Sequence, residues 1–247
     1  MIGLFIIALA PVAIIAFYIY FRDKYEKEPW RLLAMSLAAG ALVSIPVIFV
    51  ELLISVPGKA LSPVSKAAWD AFMVAALCEE AFKYAALFLL IWKNRAFNEK
   101  FDGIVYATFV SLGFAAVENI LYVFQSGLST GLVRAITAVP AHALFGITMG
   151  YYFGRAKFYP HLHKKYLLAA FLFPFTLHGI YDFMLMSGNS ILLLLFVPFI
   201  LYLWINGFQR LKTLNRQSIY NTDIDLGIDF SKIKKEDTFN NEDASKF

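Results

Sequence analysis

The chain has 247 residues, 60% of them hydrophobic and 16% charged, with a formal net charge of +4 and a mean hydropathy of +0.63. That composition excludes a soluble domain and reads as a polytopic membrane protein, whose positive charge records topology and not an affinity for nucleic acid. The single cysteine, Cys78, excludes an intrachain disulfide and a cysteine-rich metal site.

Seven apolar runs cover residues 1–21, 32–55, 67–92, 103–124, 132–153, 166–187 and 190–208. Each is about 20 residues or more, long enough to cross a bilayer as a helix. The first lacks a basic leader and is read as an uncleaved span. Arg22, Lys24, Lys27 and Arg31 follow the first run, Lys93, Arg95 and Lys100 the third, Arg155, Lys157, Lys164 and Lys165 the fifth, and Arg210, Lys212 and Arg216 the last. The alternate loops carry Lys59 and Lys66 or nothing basic. This alternation predicts an all-α polytopic protein of about seven transmembrane helices, with the N-terminus outside and the C-terminus in the cytoplasm. Residues 1–208 form the membrane domain, and the polar stretch 209–247 is expected to be a disordered cytoplasmic tail. Gly146, Gly150 and Gly154 form a stripe suited to close helix packing. Pro140 and Pro174 are expected to interrupt their helices just before His142 and His178.

Charged groups at mid-bilayer cost a few kcal/mol each on insertion scales, so they face protein or water and usually have a task. The third run places Glu79, Glu80 and Lys83 there; the others add Glu51, Glu118 with Asn119, Arg134, His142, His178 and Asp182. At about 1.5 Å per residue, Glu79, Glu118, His142 and His178 all fall roughly 10–18 Å below the outer surface. A wet cavity opening outward is the simplest geometry. Glu79 and Lys83 share a helix face at i,i+4, as do His178 and Asp182. A buried Glu51–Arg134 ion pair is expected as structural, Asp102 as a cap at the start of the fourth span, and Cys78 as a packing residue.

Two carboxylates and two histidines around water are sufficient parts for peptide hydrolysis. A desolvated carboxylate can act as base, and an imidazole can share its proton or protonate the leaving amine. No H-E-x-x-H zinc helix and no GxGD is present. The same side chains also suit two other readings. One is a zinc metalloprotease with Glu79, Glu118, His142 and His178 as ligands. The other is a proton-coupled transporter, which predicts inverted repeats that the chain does not show.

Five stretches in order carry a family resemblance: Glu79-Glu80-x-x-Lys83, Asp102–Tyr106, Ser111–Tyr122 with Glu118 and Asn119, His142–Gly146 and His178–Asp182. With the loop Tyr25–Pro29, they make the chain resemble the PrsW family of bacterial membrane proteases, within the CAAX-protease and bacteriocin-processing superfamily. The resemblance implies a multi-pass protease domain over 1–208 in the bacterial cell membrane. It implies a site-1 endopeptidase that makes the first cut in a single-pass membrane anti-sigma factor, outside the cytoplasm, in a stress response. It also implies glutamic-type water activation without a cofactor. Carried over by position, Glu79 or Glu80 is the base and His178 its partner, with Asp182 at the position of the superfamily's Asn. The chain departs from the superfamily in ending its second motif in Glu118 where a His is usual. Lys83 is expected to keep one carboxylate ionised, and His142 and Asn119 to be oxyanion donors, with Glu118 as a further acid.

Overall fold

A computed structural model describes residues 2–219 of the chain. The secondary structure is helical throughout the described residues. It comprises α1 (Ile2–Arg22), α2 (Trp30–Gly58), α3 (Pro63–Trp69), a π-helical segment (Asp70–Ala76), α4 (Leu77–Ile91), α5 (Lys100–Ile136), α6 (Ala138–Phe158), a short 3-10 turn (Pro160–Leu162), α7 (His163–Met186) and α8 (Ser190–Arg216). The backbone stays helical from α3 through the π segment into α4, so these three form one rod. By length and apolarity, five stretches suffice to cross a membrane, and the longest, Lys100–Phe158, is two helices, α5 and α6, folded against each other. The rod carrying Glu79, Glu80 and Lys83 is not among those five. The protein is an all-α, polytopic membrane protein.

The centre is α5. Every residue from Phe101 to Ala115 is buried, as expected of a helix apolar all round and packed on all sides. α6 runs antiparallel to it, and the glycine stripe explains the closeness. A Cβ on Gly150 would lie 2.2 Å from the Gly103 carbonyl oxygen, and one on Gly154 equally close to that of Lys100. Here backbone touches backbone, the contact small residues permit. α2 crosses α5 at Gly40 and Gly113 in the same way. Pro140 does not interrupt α6. It falls in the first turn, where a missing N–H costs nothing, and α7 runs through Pro174 without a break.

α5 bends at Gly127, whose φ of +82° and ψ of −168° belong to glycine alone. The chain then folds back, so that a Cβ on Gly131 would touch Val123 and Ile7. In a straight helix, residues 123 and 131 would stand about 12 Å apart.

The basic loops meet at one end of the bundle. Asn98 Nδ2 donates to Glu26, Asn215 Nδ2 donates to the Arg22 carbonyl, and Lys157 donates to the Trp92 carbonyl. The Asn215 contact, with Leu211 and Leu214 buried, carries α8 past the expected boundary at residue 208 to Arg216. The rest of the expected tail, from residue 220, lies outside the described residues. Asp102 does cap α5: its Oδ2 accepts from the backbone N–H groups of Asn98 and Glu99, each at 2.8 Å. A cluster unforeseen in the sequence surrounds it. Asp23, Glu28, Glu99 and Asp102 are all buried, and Tyr106 donates its hydroxyl to Glu28. Burial raises the Asp23 carboxyl to about 7 and that of Glu28 to about 10.

Candidate active site

The other end of the bundle holds a cavity of about 620 Å³. The ends of α2, α5 and α7 and the starts of the π segment and α6 surround it. Its wall includes Glu79, Glu118, His142, His178 and Asp182, and also Asp70, Gln125, Arg134 and Met186, of which Gln125 and Met186 are exposed. It therefore opens at the end away from the basic loops. Of the polar residues singled out in the sequence, Glu51, Glu79, Glu118, Arg134, His142, His178 and Asp182 line it, from five helices, while Glu80, Lys83 and Asn119 do not.

Glu79 and Glu80 begin α4, directly after the π segment. A π turn adds a residue to the helical repeat and re-aims the side chains that follow, and such turns are frequent at functional sites. Lys83, one turn on and 0% exposed, places its Nζ 2.8 Å from Glu79 Oε2 and 3.0 Å from Glu80 Oε1. The ammonium also lies 4.1 Å from the centre of the Phe114 ring, a favourable cation–π position. Glu79 faces the cavity, whereas Glu80 is behind it and fully buried. Of the two carboxylates, Glu79 alone lines the cavity.

His178 is the first link between helices. Its Nδ1 stands 2.9 Å from Glu80 Oε1, and its Nε2 stands 3.2 Å from Asp182 Oδ2. Phe145 stacks on the ring at 4.9 Å between centroids. With a carboxylate at each nitrogen, both positions donate only when the ring is an imidazolium. His142 is the second link. Its Nε2 lies 2.7 Å from Glu118 Oε2 and its Nδ1 lies 3.2 Å from Lys83 Nζ. A carboxylate accepts and an ammonium donates, so the neutral ring carries its proton on Nε2 and turns the Nδ1 lone pair to Lys83. Glu79 Oε2 sits between the imidazoles, 4.0 Å from His178 Nε2 and 4.0 Å from His142 Nδ1. These gaps are too long for direct hydrogen bonds, and one bridging water spans such a distance.

Three expectations change. Arg134 pairs with Glu118, at 2.9 Å, and not with Glu51, because the fold-back at Gly127 lays Arg134 over the end of α5. Asn119 is 0% exposed and does not reach the cavity. Its Nδ2 donates to the Ala8 carbonyl at 2.8 Å and its Oδ1 accepts from Arg134 Nε at 3.0 Å. Being next to Glu118 on a helix, it points about 100° away, so an oxyanion role does not fit its position. His142 Nδ1, facing an ammonium, is likewise no donor while the ring is neutral. Cys78 packs against Val47 and Phe114, as expected.

A resident metal has a specific place to be tested. Glu79, Glu80 and His178 each bring one ligand atom within 4.8 Å of the others, and all three are buried. Glu80 Oε2 is buried without a hydrogen-bond partner. Two carboxylates and an imidazole fit a divalent ion such as zinc. The expected set of Glu79, Glu118, His142 and His178 is not the one that converges, since Glu118 and His142 are bonded to each other.

Residues 28–205 match a family model described as PrsW family intramembrane metalloprotease. Protease PrsW of Oceanobacillus iheyensis is 41% identical over 218 residues, which cover 86% of this chain and 96% of that protein. Protease PrsW of Geobacillus kaustophilus is 40% identical over 179 residues, 72% of this chain and 78% of that one. Protease PrsW of Bacillus subtilis is 34% identical over 209 residues, 83% and 92% of the two chains. No solved structure matches the chain. The buried Glu–His cluster therefore sits in a membrane peptidase, and the chain belongs to the PrsW family of intramembrane proteases.

Proposed function

We propose that the chain crosses the bacterial cell membrane seven times, N-terminus outside, and makes the first cut in a single-pass membrane anti-sigma factor on its extracytoplasmic side. The orientation is supported by the gathering of basic loops at one end, and the side of cleavage by the cavity opening at the other. The substrate class rests on the family resemblance.

The observation that carries the chemistry is the position of Glu79 Oε2, on the cavity wall and 4.0 Å from each imidazole. A water held there donates one proton to Glu79 while its oxygen attacks the scissile carbonyl carbon. The carbonyl oxygen becomes an oxyanion beside His178 Nε2–H, which it shares with Asp182. As the C–N bond breaks, the amine leaves with the proton that Glu79 took up. Glu80 orients His178 through Nδ1, and Lys83 holds both carboxylates in register. Asp182 steadies the far nitrogen of His178, and Glu118 that of His142. No cofactor is needed for these steps. A second reading is favoured by the convergence of Glu79, Glu80 and His178. These three would hold a zinc ion, which would supply Lewis acidity to the same water.

The test uses purified protein in liposomes with a single-pass reporter that carries an anti-sigma factor's extracytoplasmic juxtamembrane sequence. Glu79→Ala, Glu80→Ala and His178→Ala should each lose cleavage while remaining folded. Cleavage by Glu79→Ala would defeat the proposal. Insensitivity to chelator, with no stoichiometric metal, favours the metal-free form; loss of activity restored by zinc favours the other.

A further inference from the structure

This inference rests on the hydrolytic reading above. A chain of contacts runs from α1 to the Glu79 carboxylate without a gap. The Ala8 carbonyl accepts from Asn119, Asn119 accepts from Arg134, Arg134 pairs with Glu118, Glu118 meets His142, and His142 meets Lys83. Arg134 is the member supplied by the last turns of α5. It is on the segment that folds back after Gly127. In a straight helix it would stand about 24 Å from Glu118; here the two are 2.9 Å apart.

We propose that Arg134 is a positioning residue for the reaction, acting through Glu118 to fix the tautomer and orientation of His142. The guanidinium is constrained from several sides. Nη2 faces Glu118 Oε2, Nε donates to Asn119 Oδ1, and the plane lies 4.0 Å from the Tyr122 ring centre. A planar fork holds such an arrangement and a lysine does not. Glu118 lines the cavity and is partly exposed, so without Arg134 its carboxylate is free to turn toward water. While pinned, it keeps the proton on His142 Nε2 and presents Nδ1 to Lys83, 4.0 Å from Glu79 Oε2. The exposed Leu132, Val133 and Ile136 show that the same segment has an apolar outer face. Arg134 thus points inward from a segment otherwise turned outward, which a purely structural surface helix does not need.

The test is a mutant cycle in the liposome reporter assay, with kcat and KM determined separately. Arg134→Ala should lower kcat by about 10- to 100-fold, as loss of a partner that orients a histidine does, with KM within about threefold. Arg134→Lys should recover part of the loss. In the Glu118→Gln background, neither Arg134 variant should lower kcat further, because residues that act as a unit are not additive. Parental kcat in Arg134→Ala, or losses that multiply in the double variants, overturn the proposal. Should Arg134→Ala fail to accumulate, Arg134→Lys alone and with Glu118→Gln decides by the same rule. Glu79→Ala separates the two levels. Cleavage by that variant sinks the hydrolytic reading, whereas an inactive Glu79→Ala beside a fully active Arg134→Ala sinks only this inference.

Discussion

Replacing Lys83 by methionine should be the most damaging single change near the site. Lys83 is fully buried, and two carboxylate oxygens lie 2.8 and 3.0 Å from its nitrogen. At an effective dielectric of 20, each contact is a gross attraction of about 6 kcal/mol, most of it offset by desolvation. Removing one partner of such a buried pair costs about 3–5 kcal/mol, because charge is left uncompensated. A second route gives a similar figure. The variant can relax by protonating one carboxyl, and holding a proton at pH 7 on a group of ordinary value near 4.3 costs about 3.7 kcal/mol. The expected loss is therefore about 4 kcal/mol at pH 7, a fall in Tm of roughly 8–16 °C. The same arithmetic reduces the loss to about 1 kcal/mol at pH 5. Cys78, the only cysteine and buried beside Glu79, reports opening through its reaction with a thiol dye during a melt. Parent and variant would be compared at each pH in the same detergent. Glu80→Gln with Lys83→Met should be more stable than Lys83→Met alone. A deficit below about 1 kcal/mol at pH 7, or one that does not shrink at pH 5, refutes the reasoning.

Two further outcomes follow from packing and from the basic end. Gly150→Ala drives a Cβ into the Gly103 carbonyl; it should cost about 1–3 kcal/mol or more. Gly3→Ala, with nothing within 4 Å, should be neutral or slightly stabilising, and equal melts for the two variants would contradict this account of the α5–α6 contact. Burial raises Asp23 to about 7 and Glu28 to about 10. The native state thus keeps protons that the unfolded chain has lost. The stability these groups support is full at acid pH, and falls as pH rises to about 7 for Asp23 and on to about 10 for Glu28. Asp23→Asn should flatten the slope of Tm against pH below about 7 and leave the more alkaline part; an unchanged slope would count against a buried, protonated Asp23.

Much of the site was legible because polar groups are conspicuous in lipid-facing sequence. Glu79, Glu80, Lys83, His142 and His178 stand out against apolar runs, and i,i+4 spacing is enough to pair Glu79 with Lys83 and His178 with Asp182. The glycine stripe announced the α5–α6 contact for the same reason: only small residues let helix backbones touch. The Glu51–Arg134 pairing failed because shared depth does not show which neighbour a side chain meets. The bend at Gly127 brings Arg134 to Glu118. Asn119 misled because a sequence motif shows adjacency and hides the turn of about 100° between neighbours on a helix. Nothing in the apolar stretch Asp70–Ala76 announces a π turn.

Hydropathy, charge alternation and family motifs established by themselves an all-helical membrane peptidase with an acid–imidazole site. They do so because apolar length and charge sign act locally along a chain. Which carboxylate lines the cavity, which acid each imidazole meets and which acid Arg134 pairs with were decided only by the packing of separate helices. Those are relations between groups far apart in the chain, such as Glu80 and His178 at 98 residues, and their angles are set by the π turn, the Gly127 bend and the close glycine contacts of the folded bundle.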